Sequence, residues 1–450
     1  MNYFLNLKKR LSSFQIIIMG FLLVILTGSL LLMLPVSTRS DETASFADAL
    51  FTAVSATCVT GLVVQDTVTY WSAFGQAVIL LLIQIGGMGV VTVAVSGVAI
   101  SGRKIGLMQR STMQETIAAP SVGGIVRLTG FILKATMLIE LSGALFLLPV
   151  LGKDFGIWRG TWYAIFHSIS AFCNAGFDLM GSRGEFSSLT GYSGKGLVNA
   201  VIMGLILIGG IGFLTWDDIR WKGIQFRKYR LQSKVILIMT AILVIFPFLF
   251  FFFGEFGRPV WDGMSFGEKF WSALFQTVTP RTAGFNTVDL SMLSESGQMI
   301  VIILMLVGGS PGSTAGGMKT TTIAVLFITL FAVFRRKEDA ECFGRRITED
   351  AIRNAAAILL MYLVLFSAGG IIISWLEELP VLTCLFETAS AIGTVGLTLG
   401  ITPGLGAVSR LILIILMFMG RVGGLTIVFA AFSKKERNLS KFPKEKITVG

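Results

Sequence analysis

The chain has 450 residues, a length that in water would make roughly two or three domains. Composition excludes that outcome, because 54% of residues are apolar, only 14% are charged and the mean hydropathy is +0.78, too apolar for a surface facing water. The net charge of +11 could suit nucleic acid, but in a multispanning chain it more often records orientation, and the distribution of the basic residues decides between the two.

Apolar stretches of about 20 residues, each long enough for a hydrocarbon core of roughly 30 Å, recur along the chain. Eight spans are expected, near 14–36, 73–100, 126–151, 196–216, 235–253, 298–333, 353–376 and 407–432. The first, from Phe14 to Pro35, has no small-residue cleavage site and should remain as a membrane helix rather than a cleaved signal. With both termini inside, 28 of the 37 Lys and Arg fall on the inner side and 9 on the outer side, the positive-inside pattern. The inner group includes Lys8, Lys9 and Arg10, then Arg220, Lys222, Arg227, Lys228 and Arg230, then Arg335, Arg336 and Lys337, then Lys434, Lys435 and Arg437. The expected setting is therefore a multi-pass protein in the lipid bilayer of a cell membrane, N- and C-termini cytoplasmic, with no nucleic-acid partner.

Cys58, Cys173, Cys342 and Cys384 have no CxxC spacing, and His167 is the only histidine. Neither a bound metal cofactor, a disulfide framework nor histidine acid–base chemistry is expected. Without GxSxG, HExxH or GxxxxGKS/T, no enzyme is expected either.

Between the spans lie four segments of about ten residues, too short to cross, each running from a phenylalanine to a glycine: residues 51–61, 166–176, 275–284 and 386–396. Their glycines, Gly61, Gly176, Gly284 and Gly396, fall 115, 108 and 112 residues apart. A second glycine signal follows inside each next span, at Gly86, Gly209, Gly308 and Gly420, which are 25, 33, 24 and 24 residues further on. An internal period of this kind sets the architecture. The expected fold is an all-α membrane protein of four tandem helix–pore loop–helix repeats around a pseudo-fourfold ion pore. The repeats are 1–110, 111–230, 231–345 and 346–450, the last including a cytoplasmic tail. Each repeat crosses twice, so all four enter with one orientation, unlike inverted transporter repeats. The third is one residue shorter from Phe to Gly, which implies a deletion or a change of local register.

A segment that enters and leaves on one side is tolerated only where it is buried in protein or lines water. A half-helix with its C-terminus pointing inward offers partial negative charge, and four of them favour a cation. The backbone that follows can present carbonyl oxygens in place of an ion's hydration shell, and glycine lets it approach closely. The residues before each glycine are Val59 and Thr60, Asn174 and Ala175, Thr282 and Ala283, and Thr394 and Val395. None is ionisable, so the main chain should supply the coordination.

These segments resemble the membrane subunits of the Trk/Ktr/HKT potassium transporter superfamily, and the bacterial Ktr type in particular. The resemblance rests on Thr60-Gly61-Leu62, Asn174-Ala175-Gly176-Phe177, Thr279 through Asn286 and Gly393 through Leu397, and it extends over nearly the whole chain. It implies potassium as substrate and a selectivity filter of Val59, Thr60, Gly61, Asn174, Ala175, Gly176, Thr282, Ala283, Gly284, Thr394, Val395 and Gly396. It also implies that some members with serine in place of the first glycine conduct sodium, so that Gly61 fits the potassium-selective branch. The resemblance also implies a homodimer with one pore per chain and a cytoplasmic ring of RCK-type regulatory subunits. No cofactor is expected in this chain, because its termini and inner loops are too short for a nucleotide domain; nucleotide is expected only on that partner. The alternative is a sodium- or proton-coupled potassium symporter, for which Glu140 is the one candidate carboxylate.

The third repeat's second span is interrupted by Gly308, Gly309, Ser310, Pro311, Gly312, Ser313, Thr314, Ala315, Gly316 and Gly317, with Lys319 at the end. Such a run breaks a helix. Two readings stand, a kink for close helix packing or the intramembrane gating loop that the resemblance implies. Arg421 lies inside the last span, where a central arginine costs about 2.5–3.5 kcal/mol and needs partners. The resemblance places it in the pore beside the gating loop, while a purely structural arginine would donate to the loop's carbonyls. Lys319 is expected to snorkel to the inner surface. Arg281 should point behind the filter and brace it, and His167 should be a packing residue. Glu387 reads as an N-terminal residue favoured by its half-helix dipole.

Overall fold

A computed structural model describes residues 12–40, 42–94, 106–117, 123–423, 426 and 445. Lys8, Lys9, Arg10, Lys434, Lys435 and Arg437, and the span ends at 95–100, 424–425 and 427–432, lie outside the described residues.

Serine and threonine begin many of the helices. The side chains of Ser12, Ser45, Ser72, Ser265, Ser294 and Thr348 each accept from a backbone N–H three residues on. One orphan donor of each first turn is thereby satisfied. The first unit comprises α1 (Ser13–Leu32), the half-helix α2 (Phe46–Thr57) and α3 (Ala73–Met88). A short helix, α4 (Leu107–Ile117), leads to the second unit: α5 (Ile125–Phe155), half-helix α6 (Ile157–Phe172), α7 (Gly196–Gly210) and α8 (Phe213–Lys222). The third has α9 (Leu231–Leu249), extended by a π-turn over Phe250–Glu255, half-helix α10 (Phe266–Val278), α11 (Glu295–Leu306) and α12 (Thr320–Phe334). A two-stranded hairpin of β1 (Glu341–Cys342) and β2 (Arg345–Arg346) precedes the fourth: α13 (Glu349–Glu377), half-helix α14 (Val381–Gly393) and α15 (Ala407–Val422).

The first crossing of each unit is one helix long and apolar enough for a bilayer: Ser13–Leu32, Ile125–Phe155, Leu231–Glu255 and Glu349–Glu377. Among the described residues the second crossing is not: the break expected within 298–333 is present, and the expectation of continuous spans at 73–100, 196–216 and 407–432 is corrected. α3 stops at Gly89, α7 and α8 meet at 96°, α11 and α12 are separated by the loop, and α15 stops at Gly423. The cause is local. Gly89, Gly212 and Gly423 take φ of +85°, +92° and +89°, a conformation that ends an α-helix and that glycine adopts without a Cβ penalty. The half-helices are also longer than the ten-residue segments, at 12, 16, 13 and 13 residues, because each begins well before its phenylalanine.

Apolar packing forms two large clusters, the first mainly over units one and two but reaching Phe275, Val278 and Phe285 of unit three, the second mainly over units three and four but reaching Ile25, Leu62 and Val64 of unit one. α2 belongs to both, with Ala49 and Ala53 in the first and Phe51 and Val54 in the second. Many other apolar side chains point outward, as lipid-facing helices require: Leu138, Leu145, Phe246 and Leu360 are all exposed.

Candidate functional site

Each half-helix ends in one repeated piece of backbone. The residue two before the glycine is left-handed in all four units: Val59 at φ +56°, Asn174 at +57°, Thr282 at +67° and Thr394 at +51°. For β-branched residues this conformation is an outlier costing about 1–3 kcal/mol, so surrounding bonds must enforce it. They do. The N–H groups of Thr60, Ala175 and Val395 donate back to the carbonyls of Ser55, Ser170 and Ser390, each at 2.8 Å. In the third unit Ala283 N–H reaches Thr279 O at 2.9 Å, one residue closer in sequence.

Those same four residues fix the strand with their hydroxyls. Ser55 Oγ accepts from Gly61 N–H (3.1 Å) and Ser390 Oγ from Gly396 N–H (3.0 Å). Ser170 Oγ donates to Phe177 O (2.7 Å) and Thr279 Oγ1 to Phe285 O (2.5 Å). Sequence reasoning missed this set, although its signal is plain: Ser55, Ser170, Thr279 and Ser390 each stand four residues after the half-helix phenylalanine. The missing residue of unit three therefore lies in the turn between hydroxyl and glycine.

The four strands close on one another. A Cβ placed on Gly61 would lie 2.5 Å from Ala175 O, and one on Gly176 would lie 2.7 Å from Ala283 O. Gly284 faces Val395 O and Gly396 faces Thr60 O more closely still. The units thus follow one another around a single axis, and the fourth returns to the first. Outside the glycine ring is a cavity of about 100 Å³ whose lining includes the four glycines, Asp66, Asp178, Asn286 and Thr398. On the strands that carry these glycines, the hydroxyls of Thr60, Thr282 and Thr394 are buried without a partner among the described residues.

Behind the ring, His167 is saturated: one ring nitrogen meets Tyr163 O at 2.7 Å, and Nε2 accepts from Leu179 N–H at 3.3 Å. Glu387 corrects the sequence reading, for it is the seventh residue of α14 rather than a member of its first turn. Its carboxylate accepts from the hydroxyls of Thr398 and of Thr402 (3.0 Å), tying the backbone after Gly396 to the half-helix. The corresponding Thr52 and Gln276 have no such partner among the described residues. Arg281 is buried and points outward to Thr240 Oγ1 on α9 at 3.2 Å, while its carbonyl accepts from Asn174 Nδ2. Glu140 of α5 accepts from Gln84 Nε2 at 3.2 Å and lies near Cys173, with no basic group in ion-pair range among the described residues.

Beneath the ring, the glycines of the second crossings lie against the half-helix ends. A side chain on Gly86, Gly209 or Gly420 would strike the carbonyl of Thr57, Phe172 or Ile392. Residues 308–319 fill the space below. Ser310 N–H donates to Gly210 O (3.0 Å), Gly317 N–H to Gly420 O (3.1 Å), and Thr314 Oγ1 to Phe172 O (3.0 Å). Gly317 sits against Gly393 O, and Gly312 against Ile117 O at the end of α4. Arg421 donates to Thr314 O on this loop and to Gly86 O and Gly87 O (3.0 Å) on α3. The loop and Arg421 thus join units one, two, three and four. Lys319 does not snorkel, since its Nζ turns back to Ala315 O at 2.7 Å and Gly316 O at 3.2 Å. Below is a cavity of about 430 Å³ lined by Arg421, Lys319, Glu115 and the lower face of the loop.

Four half-helices aimed at one axis, with a closed ring of backbone between an outer and an inner cavity, define a membrane cation transport protein of the pore-loop class. The chain matches the TrkH family, described as cation transport proteins, over residues 5–441, and it belongs to that family of transporters. The potassium/sodium uptake protein NtpJ of Enterococcus hirae is 40% identical over 99% of both chains. The Ktr system potassium uptake protein B of Bacillus subtilis is 40% identical over 97% of this chain and 96% of its own, and its Vibrio alginolyticus namesake 33% identical over 97% and 94%. The crystal structure of the potassium transporter TrkH from Vibrio parahaemolyticus superposes with a TM-score of 0.71 at 19% identity, covering 92% of this chain and 84% of that one, a likeness of fold.

Proposed function

We propose that this chain takes up potassium across a bacterial cell membrane through a filter made by its four glycine-ended strands. The observation that carries the reading is the closed ring, in which Gly61, Gly176, Gly284 and Gly396 each face a carbonyl of the next unit. Neutral carbonyl oxygens from such a ring can replace a hydration shell and discriminate by coordination rather than by charge. The buried hydroxyls of Thr60, Thr282 and Thr394, without a partner among the described residues, are further neutral oxygens on these strands. The filter is assigned to residues 59–61, 174–176, 282–284 and 394–396, and gating to residues 308–317 with Lys319 and Arg421. The positive-inside pattern supports cytoplasmic termini. Relatives named as lettered parts of a Ktr system support a second component, for which a cytoplasmic ring of RCK-type subunits that carries the nucleotide is proposed, together with a homodimer of this chain.

The purified protein in liposomes should take up potassium and rubidium much better than sodium, and lithium least. Equal sodium and potassium uptake would overturn the filter assignment. A second reading, coupling of potassium to sodium or protons, is favoured by one observation, the buried Glu140 carboxylate without a basic partner. Uptake against a potassium gradient that needs a sodium or proton gradient, and is lost in Glu140→Gln, would select it.

A further inference from the structure

The inner basic cluster contains a feature that ion passage does not use. α8 turns 96° away from α7, so it runs across the end of a membrane-crossing helix instead of continuing it. Between it and the start of α5 is a cavity of about 200 Å³ lined by Arg127, Arg220, Arg230, Asp217, Phe131 and Trp221, among others. Arg230 is paired, with Asp217 at 2.9 Å. Arg127 and Arg220 have no hydrogen-bonded or ion-paired acceptor among the described residues, yet they are held by aromatic rings. The Arg220 guanidinium lies 4.5 Å from the Phe131 ring centre and 5.4 Å from that of Trp221, and Arg127 lies 5.8 Å from Trp221. Cation–π contact fixes the guanidinium and leaves its N–H fork free for an anion.

The start of α5 adds to this charge. Gly124 caps the helix without a side-chain acceptor, no acidic residue stands in the first turn, and Arg127 is its third residue. A cation at the positive end of a helix is unfavourable until an anion lies there. The flanks are apolar and open: Trp221 is 63% and Ile224 99% exposed, which suits hydrocarbon rather than water. A ligand with a phosphate at one end and acyl chains at the other matches both halves of the site.

We propose that this cavity binds the phosphate of an anionic phospholipid of the inner leaflet, held by Arg127, Arg220 and the first turn of α5, with acyl chains along Trp221 and Ile224. The leaflet, though not the chemistry, rests on the cytoplasmic assignment of the basic segments. Basic pockets at that interface recognise anionic headgroups, at about 1 kcal/mol per basic residue, or roughly fivefold each.

The test is native mass spectrometry of the full chain in detergent, with phosphatidylglycerol or phosphatidylcholine added at equal excess. Phosphatidylglycerol should remain bound to the wild type, and its retention should fall roughly fivefold in Arg127→Gln and again in Arg127→Gln/Arg220→Gln. Arg227→Gln, an exposed arginine outside the cavity, should retain it fully, and phosphatidylcholine should bind all variants alike. Equal retention in the double variant, or an equal loss in Arg227→Gln, would overturn the site. Displacement by millimolar inorganic phosphate would overturn the lipid assignment. Should the double variant fail to fold, the exposed single Arg127→Gln decides alone. Retention is read in detergent without ion flux, so its failure and failure of the transport reading are separate results.

Discussion

At Gly61 a φ of +92° and the oxygen of Ala175 leave no room for a side chain. Gly61→Ser therefore strains the strand and pushes a Cβ and a hydroxyl into the neighbouring unit's carbonyl. It should lower the ratio of potassium to sodium uptake in liposomes, and an unchanged ratio would place Gly61 outside the ion path. Glu387 makes a second case. Glu387→Leu leaves the Thr398 hydroxyl without its carboxylate acceptor, a loss of about 1–3 kcal/mol, while the Thr402 hydroxyl keeps Thr398 Oγ1 (3.0 Å) as an acceptor. The protein should melt at lower temperature and discriminate sodium less well; a lower melting point with intact selectivity would make Glu387 structural only. At this scale the sequence was legible where spacing repeated. Glycine, phenylalanine and hydroxyl recur in every unit, but the partners of Glu387 lie eleven and fifteen residues away across a turn, where no periodic signal reaches.

The second crossings show what one sequence pattern can and cannot convey about an element. Apolar runs through 73–100 and 196–216 read as continuous helices because hydropathy does not register a backbone φ, whereas Gly89 and Gly212 stop those helices with a positive one. The loop of residues 308–319 was legible, since its Gly, Ser and Pro content cannot continue a helix; its ties to Phe172, Gly210, Ile117 and Gly420 come from other units and were not. Because the loop lies under the ring, removing residues 311–316 should raise potassium flux while leaving selectivity largely intact. A flux at the wild-type level would refute the gating assignment. Arg421→Ala removes the donor shared by Thr314, Gly86 and Gly87 and should raise flux as well. If the guanidinium chiefly supports the fold, the amount of inserted protein falls instead, so uptake is measured per inserted chain.

The closed ring supports the proposal that one chain suffices for one pore. Four units of one orientation were readable from the even number of crossings, and their order around the axis follows from the carbonyl each glycine faces: the second unit for Gly61, the third for Gly176, the fourth for Gly284 and the first again for Gly396. No place in that circuit is left for a strand of another subunit. A cation fixed in the ring, as in Thr60→Lys, should block its own chain by repelling potassium at close range, and it should leave a neighbouring chain's ring untouched. Co-reconstituting wild type and Thr60→Lys at varied ratios, without any regulatory partner, should give potassium uptake that falls in direct proportion to the wild-type fraction. If two chains shared one pore, uptake would instead follow the square of that fraction, and a pore shared by four would follow its fourth power. A linear decline, with both chains inserted in the proportions supplied, is the outcome a ring closed within one polypeptide requires. Any steeper curve would mean that ions cross between chains rather than through each one.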